Sequence, residues 1–155
     1  MKVVHSGVKA VAADCSHSMA LHQDGSVWTA GLNDRGQLGD GTTTDRHSFV
    51  KVVSSHVTAV AAGNRFSMVL KRDGSLWTTG FNAYGQLGDG TTTERHSFVK
   101  VIHSGVKTMA GGVWFTMVVK TDGSVWGTGY NKYRQLGDGT TTDRHGFVKA
   151  RIDGT

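Results

Sequence analysis

A 49-residue period repeated three times, four short strand-like runs in each period, and abundant glycine without any proline predict an all-β chain. The architecture these features specify is a β-propeller of four-stranded blades, with three blades in the chain.

The period is uninterrupted. Trp28, Trp77 and Trp126 lie 49 residues apart, as do Asp24, Asp73 and Asp122. The block QLGDGTTT recurs at Gln37–Thr44, Gln86–Thr93 and Gln135–Thr142, and an acidic residue, Arg and His follow each copy. Residues 1–155 are therefore read as one domain with repeats at about 1–49, 50–98 and 99–147, and with 148–155 as a final outer strand and tail. Glycine supplies 22 residues, roughly twice its usual share of about 7%, so glycine-based turns must reverse the chain.

The first run of each unit is VKAVAA from Val8, VTAVAA from Val57 and VKTMAG from Val106; the second is SMAL, SMVL and TMVV. Both are too short for helices and nearly continuous in apolar residues, as expected of a sheet covered on both faces. Asp-Gly pairs then mark hairpin turns at Gly25, Gly74 and Gly123. The third run carries the tryptophan (SVWTAG, SLWTTG, SVWGTG), and after a long glycine-rich connection the fourth is FVKVV, FVKVI or FVKAR. The tryptophan is read as a core anchor, and the GDGTTT loop as a turn fixed by Asp and Thr side chains bonding to backbone.

Composition narrows the function. No apolar run is long enough to span a bilayer, and MKVVHSGVK lacks the apolar centre of a secretory signal, so a soluble chain is expected. Cys15, the only cysteine, has no intrachain partner, which fits an intracellular, reducing setting. A net charge of +5 suits an acidic partner, but the basic residues (Lys51, Lys100, Lys149; Arg46, Arg95, Arg144) recur at the repeat interval instead of forming a basic run.

Taken together, GVKAVAA, HSMAL, DGSVW and the G-x-N-x-x-GQLGDGTTT block resemble the regulator of chromosome condensation repeat over essentially the whole chain. The resemblance implies a propeller, usually of seven blades, whose members include binding modules such as a bacterial inhibitor of β-lactamases. The family's second aromatic after the tryptophan is replaced by Ala30, Thr79 and Thr128, and its proline near the fourth strand by Ser48, Ser97 and Gly146. Nothing in the chain marks the specialised face that nucleotide exchange on a small GTPase requires.

Positions alike in all three units are most simply scaffold, which makes the differences informative. One variable window follows the first strand: Asp14-Cys15-Ser16, Gly63-Asn64-Arg65, Gly112-Val113-Trp114. The other follows the third: Asp34-Arg35, Ala83-Tyr84, and Lys132-Tyr133 with Arg134 in place of Gly36 and Gly85. Tyr, Trp and Arg are the types enriched at interface hot spots, and loops on a rigid frame carry function. Cys15, Ser16, Arg35, Asn64, Arg65, Tyr84, Val113, Trp114, Lys132, Tyr133 and Arg134 are accordingly the candidate protein-binding residues. The competing reading is drift at unconstrained positions, with Trp114 filling the central channel.

No catalytic site, metal or cofactor is expected. Asp40 and Asp45 lack the alternating ligands of a calcium loop. The Arg-His pairs suit loop-pinning ion pairs better than phosphate binding, and Cys15 with His17 has no orienting third group. Three blades leave two apolar faces open, so a head-to-tail homodimer closing a six-blade ring is expected, with excision from a seven-blade parent as the alternative. MKVV at the start matches VKVV at residue 50, and Val148–Ile152 repeats that strand; one terminus should complete a blade's outer edge and the other fray. The functional expectation is a protein-binding scaffold, and the alternatives are chromatin or nucleic-acid association and a fragment without independent function.

Overall fold

The computed structural model describes residues 7–154, which form twelve strands and no helix. The first sheet contains β1 (Val8–Ala13), β2 (His17–His22), β3 (Val27–Gly31) and β4 (Arg46–Val53). The second contains β5 (Val57–Gly63), β6 (Phe66–Lys71), β7 (Leu76–Gly80) and β8 (Arg95–Ile102). The third contains β9 (Val106–Gly111), β10 (Phe115–Lys120), β11 (Val125–Gly129) and β12 (Arg144–Lys149). Consecutive strands are antiparallel neighbours within each sheet, so each sheet is one propeller blade. No helix of the described residues is long and apolar enough to cross a membrane.

The hairpin turns show why the Asp-Gly-Ser sequence recurs. Gly25, Gly74 and Gly123 adopt φ of 82°, 80° and 84°, a region that costs an L side chain but not glycine. Asp24 Oδ1 accepts hydrogen bonds from the Ser26 amide (2.9 Å) and hydroxyl (2.6 Å), and Ser26 Oγ accepts one from the Trp28 indole at 3.2 Å. The other two blades repeat the arrangement at Ser75–Trp77 and Ser124–Trp126. Turn and tryptophan rotamer are thus set by one short hydrogen-bonded chain.

Blade stacking follows from the period-2 alternation of β6. Phe66, Met68 and Leu70 enter a cluster with Leu76, Leu87, Val106 and Val118 between the second and third blades. Val69 joins Met19, Leu21, Val27 and Val57 between the first and second. Polar latches repeat at both junctions. Ser67 Oγ donates to the Gln37 carbonyl at 2.7 Å and Thr79 Oγ1 to the Gly36 carbonyl at 2.9 Å. Thr116 and Thr128 make the equivalent bonds to Gln86 and Gly85, each at 2.8 Å.

Two expectations are corrected in detail. The fourth strand begins at Arg46, Arg95 or Arg144 instead of the following phenylalanine, because a bulge after Thr29 and Thr78 restores pairing of Gly31 with Arg46 and Gly80 with Arg95. The repeat tryptophans are half-buried instead of fully enclosed: Trp77 and Trp126 pack against the junction clusters, Lys71 Nζ lies 4.1 Å from the Trp77 ring and Lys120 Nζ 4.0 Å from Trp126, while Lys51 covers Trp28 at 5.4 Å. The lysine stems and heads cover the outer side of each ring.

The expectation for Met1–Val4 lies outside the described residues. At the other end β12 pairs with β11 as the outer strand of the third blade. The first blade shows the exposure that an unstacked face implies: Val11 is 75% exposed, whereas its counterpart Val60 packs into the junction cluster.

Candidate functional site

In an up-and-down blade the connections after the first and third strands emerge at the same end, opposite the Asp-Gly turns. Both variable windows therefore share one face.

The long connection after the third strand is built around a buried asparagine. Asn33 Nδ2 donates to Asp40 Oδ1 (3.1 Å) and to the carbonyls of Thr42 and Thr44 (3.0 Å each), while its Oδ1 accepts from the Leu38 amide at 3.0 Å. Asp40 in turn accepts from the Thr42 hydroxyl at 2.7 Å and from Arg46 Nε at 2.7 Å. Asn82–Asp89–Arg95 and Asn131–Asp138–Arg144 copy this network. Burial alone would raise the carboxyls of Asp40, Asp89 and Asp138, but the threonine, arginine and asparagine donors outweigh it and hold all three below the ordinary carboxylate range. The recurring arginines thus pin loops, and the aspartate oxygens already have partners.

On this frame the variable residues converge. Cys15, Ser16, Arg35, Asn64, Arg65, Tyr84 and Trp114 line one groove of about 330 Å³, together with Phe81. Its aromatic wall is continuous: Tyr84 and Trp114 lie tilted at 5.1 Å, and Tyr130 stands edge-on to both, at 5.1 and 5.5 Å. Phe81 touches Tyr84 from one side at 6.2 Å, and Tyr133 extends the row from Tyr130 at 6.0 Å. Trp114 therefore lines the loop groove. Tyr133 is 82% exposed and Val113 56% exposed.

The cations are held in place. Arg65 pairs with Asp34 at 3.0 Å, and Arg35 pairs with Glu94 at 3.4 Å while lying 5.4 Å over the Phe81 ring. Lys132 lies 5.9 Å over Tyr130. Arg134 stands apart from the groove lining, with a φ of 63° in its own turn. Phe81, Tyr130 and Glu94 were not among the candidate contact residues, and Asp34 was named in a variable window without being counted as one. A signal for two of them existed: the position reads Leu32, Phe81, Tyr130 and becomes aromatic only in the second and third units.

Cys15 and His17 do not pair. Cys15 is exposed, with Asn64 Nδ2 3.8 Å from its sulfur. His17 turns inward to the first junction, where Nε2 lies 2.7 Å from Ser67 Oγ. Its Nδ1 is 3.0 Å from Asp14 Oδ1, yet the two are not aligned for a hydrogen bond. Burial lowers the His17 pKa against the opposing pull of Asp14. Although Asp14, His17 and Ser67 are spaced like a charge-relay set, Ser67 is fully buried and already donates to Gln37. The contact between His17 and Ser67 staples the first blade to the second.

The model of the regulator of chromosome condensation (RCC1) repeat matches residues 24–70 and 73–119, and a second model of the same repeat matches 8–37 and 57–86. Among curated proteins no sequence matches the chain. Prp20p of Saccharomyces cerevisiae superposes on 96% of the chain and 39% of its own, with a TM-score of 0.86 and 20% identity. Human WBSCR16 superposes on 95% of the chain and 40% of its own, with a TM-score of 0.84 and 25% identity. The chain thus spans about two fifths of the length of each of these structures. From the repeat matches and the blade architecture together, the chain belongs to the regulator of chromosome condensation repeat family.

Proposed function

We propose that these three blades form a protein-binding scaffold whose contact surface is the aromatic and basic loop face. The observation that carries this reading is the row Phe81, Tyr84, Trp114, Tyr130 and Tyr133, drawn from two blades and flanked by Arg35, Arg65 and Lys132. Aromatic and arginine side chains fixed by their neighbours lose little entropy on binding, which is why such clusters dominate interface energetics. The structural relatives support a binding role: Prp20p is described with its binding to Gsp1p and histones, and yeast RCC1 (Prp20) in a complex with Kap60.

Nucleic-acid association drew on the charge of +5. Much of that charge is engaged within the chain: Lys51, Lys71, Lys100 and Lys120 lie over tryptophan rings, and Arg35 and Arg65 face carboxylates.

The test is to replace Trp114 and Tyr133 with alanine and compare partners captured from the source cell by both versions, after matching their melting curves. A single hot-spot aromatic contributes about 2 kcal/mol or more, roughly 30-fold in Kd, so specific partners should be lost. Identical captured sets would refute the assignment. Capture of nucleic acid alone, falling steeply with salt, would establish the other reading.

A further inference from the structure

The two internal junctions are built from the same parts, so they define what a blade must offer to receive the next. Gly36 and Gly85 are essential to that seat. A Cβ at Gly36 would lie 2.6 Å from His96 Cα of the next blade, and one at Gly85 would lie 2.5 Å from His145 Cα. Those distances are too short for any side chain to share. The carbonyls of the same glycines accept the Thr79 and Thr128 latches. Beside them, Gly39 and Gly88 lie under the Phe98 and Phe147 rings, and the amides of Gly41 and Gly90 donate to the His96 and His145 carbonyls at 2.9 and 2.8 Å.

On the third blade one of the seat's three glycines is replaced and the other two, Gly137 and Gly139, are covered by the chain's own residues. Arg134 occupies the glycine position in the same left-handed conformation, φ 63°, and so carries the Cβ that the junction geometry forbids. Where a phenylalanine ring would cover Gly137, the Ala150 Cβ stands 3.5 Å from the position of a Cβ there, and the Arg151 amide donates to the Gly137 carbonyl at 2.8 Å. The Arg151 guanidinium reaches within 3.1 Å of the corresponding point at Gly139. The complementary face of the first blade keeps Ser18 at the place of Ser67 and Thr116 but has lost the second of its two latches, since Ala30 stands where Thr79 and Thr128 carry the donating hydroxyl.

We infer that Arg134, with Ala150 and Arg151 folded over Gly137 and Gly139, closes the third blade's seat against the first blade of a second copy. The occupant of this face is the chain's own segment 150–151. A second copy therefore does not dock its first blade there, and the six-blade homodimer expected from blade number is opposed at both of its junctions. In heterologous association an open seat and a free blade face on one molecule generate rings or fibres, and a filled seat prevents both.

The test uses the full chain. Sedimentation should show self-association of wild type at least tenfold weaker than that of the Ala30→Thr, Arg134→Gly, Arg151→Pro variant, which restores the latch and clears the seat. Adding Ser18→Arg to the first-blade face should abolish the variant's association. Equal association of wild type and variant overturns the inference, and so does the absence of association in both. Hydrogen exchange supplies a second readout that needs no variant: the Arg151 amide should be protected. Exchange at the rate of an unstructured amide also overturns the inference.

Discussion

Replacing Asn82 with alanine tests the frame on which the candidate face rests. Asn82 is fully buried, and its side chain donates to Asp89 Oδ1 (3.2 Å) and to the carbonyls of Thr91 (3.1 Å) and Thr93 (2.9 Å), while accepting from the Leu87 amide at 3.0 Å. Each such bond contributes about 0.5–1.5 kcal/mol net, so the four together are worth about 2–6 kcal/mol. The upper part of that range is favoured because alanine leaves the buried Leu87 amide and the Asp89 carboxylate without this partner. At about 2–4 °C per kcal/mol for a chain of this size, a loss of about 3 kcal/mol lowers Tm by about 6–12 °C. Urea unfolding followed by tryptophan fluorescence measures the change directly. Tyr84 is two residues from Asn82, and its amide is held by Gln86 Oε1 at 3.0 Å, so the variant should also weaken partner binding more than its stability alone explains. A stability loss under about 0.5 kcal/mol, the range of an ordinary surface change, would refute the reasoning.

Three further outcomes are expected. Gly85→Ala should destabilise more than Gly90→Ala, because both sit at positive φ (80° and 82°) but only Gly85 has the next blade's backbone within 3 Å of a new Cβ. The left-handed conformation alone costs about 1–2 kcal/mol, so Gly90→Ala should stay near that figure in the same unfolding assay. Stability should fall as pH drops through about 6.5, the ordinary histidine value: His17 is held below it when folded, so the unfolded chain takes up a proton that the folded chain refuses. His17→Phe, the residue found at Phe66 and Phe115, should remove that slope while leaving the loss at lower pH caused by protonating Asp40, Asp89 and Asp138. Cys15→Ser should change stability by under about 0.5 kcal/mol, since the exposed thiol's one polar contact among the described residues is the 3.8 Å approach of Asn64.

The fold was legible because its determinants are local and repeated. Asp-Gly-Ser dictates a turn wherever it stands, and the spacing of tryptophans reports a blade of constant length. The candidate face was legible in part for the opposite reason: residues such as Tyr84 and Trp114 differ between units that are otherwise alike. The pairings of Asp34 and Glu94 were not legible because their partners, Arg65 and Arg35, lie 31 and 59 residues away across a blade junction. The inward turn of His17 was hidden likewise, since Ser67, 50 residues on, supplies the hydroxyl that receives it. Arg134 was noticed as an odd residue, but only the Cβ distances at Gly36 and Gly85 reveal what its backbone position forbids.

The alternation of β6 gives the second blade a distinct standing. Phe66, Met68 and Leu70 serve one neighbour and Val69 the other, so this blade alone is clamped from two sides. In a one-dimensional array, loss of structure starts where couplings are fewest, so thermal opening should advance from both outer blades toward the middle. Asn64, Arg65, Phe81 and Tyr84 all belong to that middle blade. The centre of the groove would thus be the last portion of the molecule to melt, and its rims the first to yield to an arriving ligand.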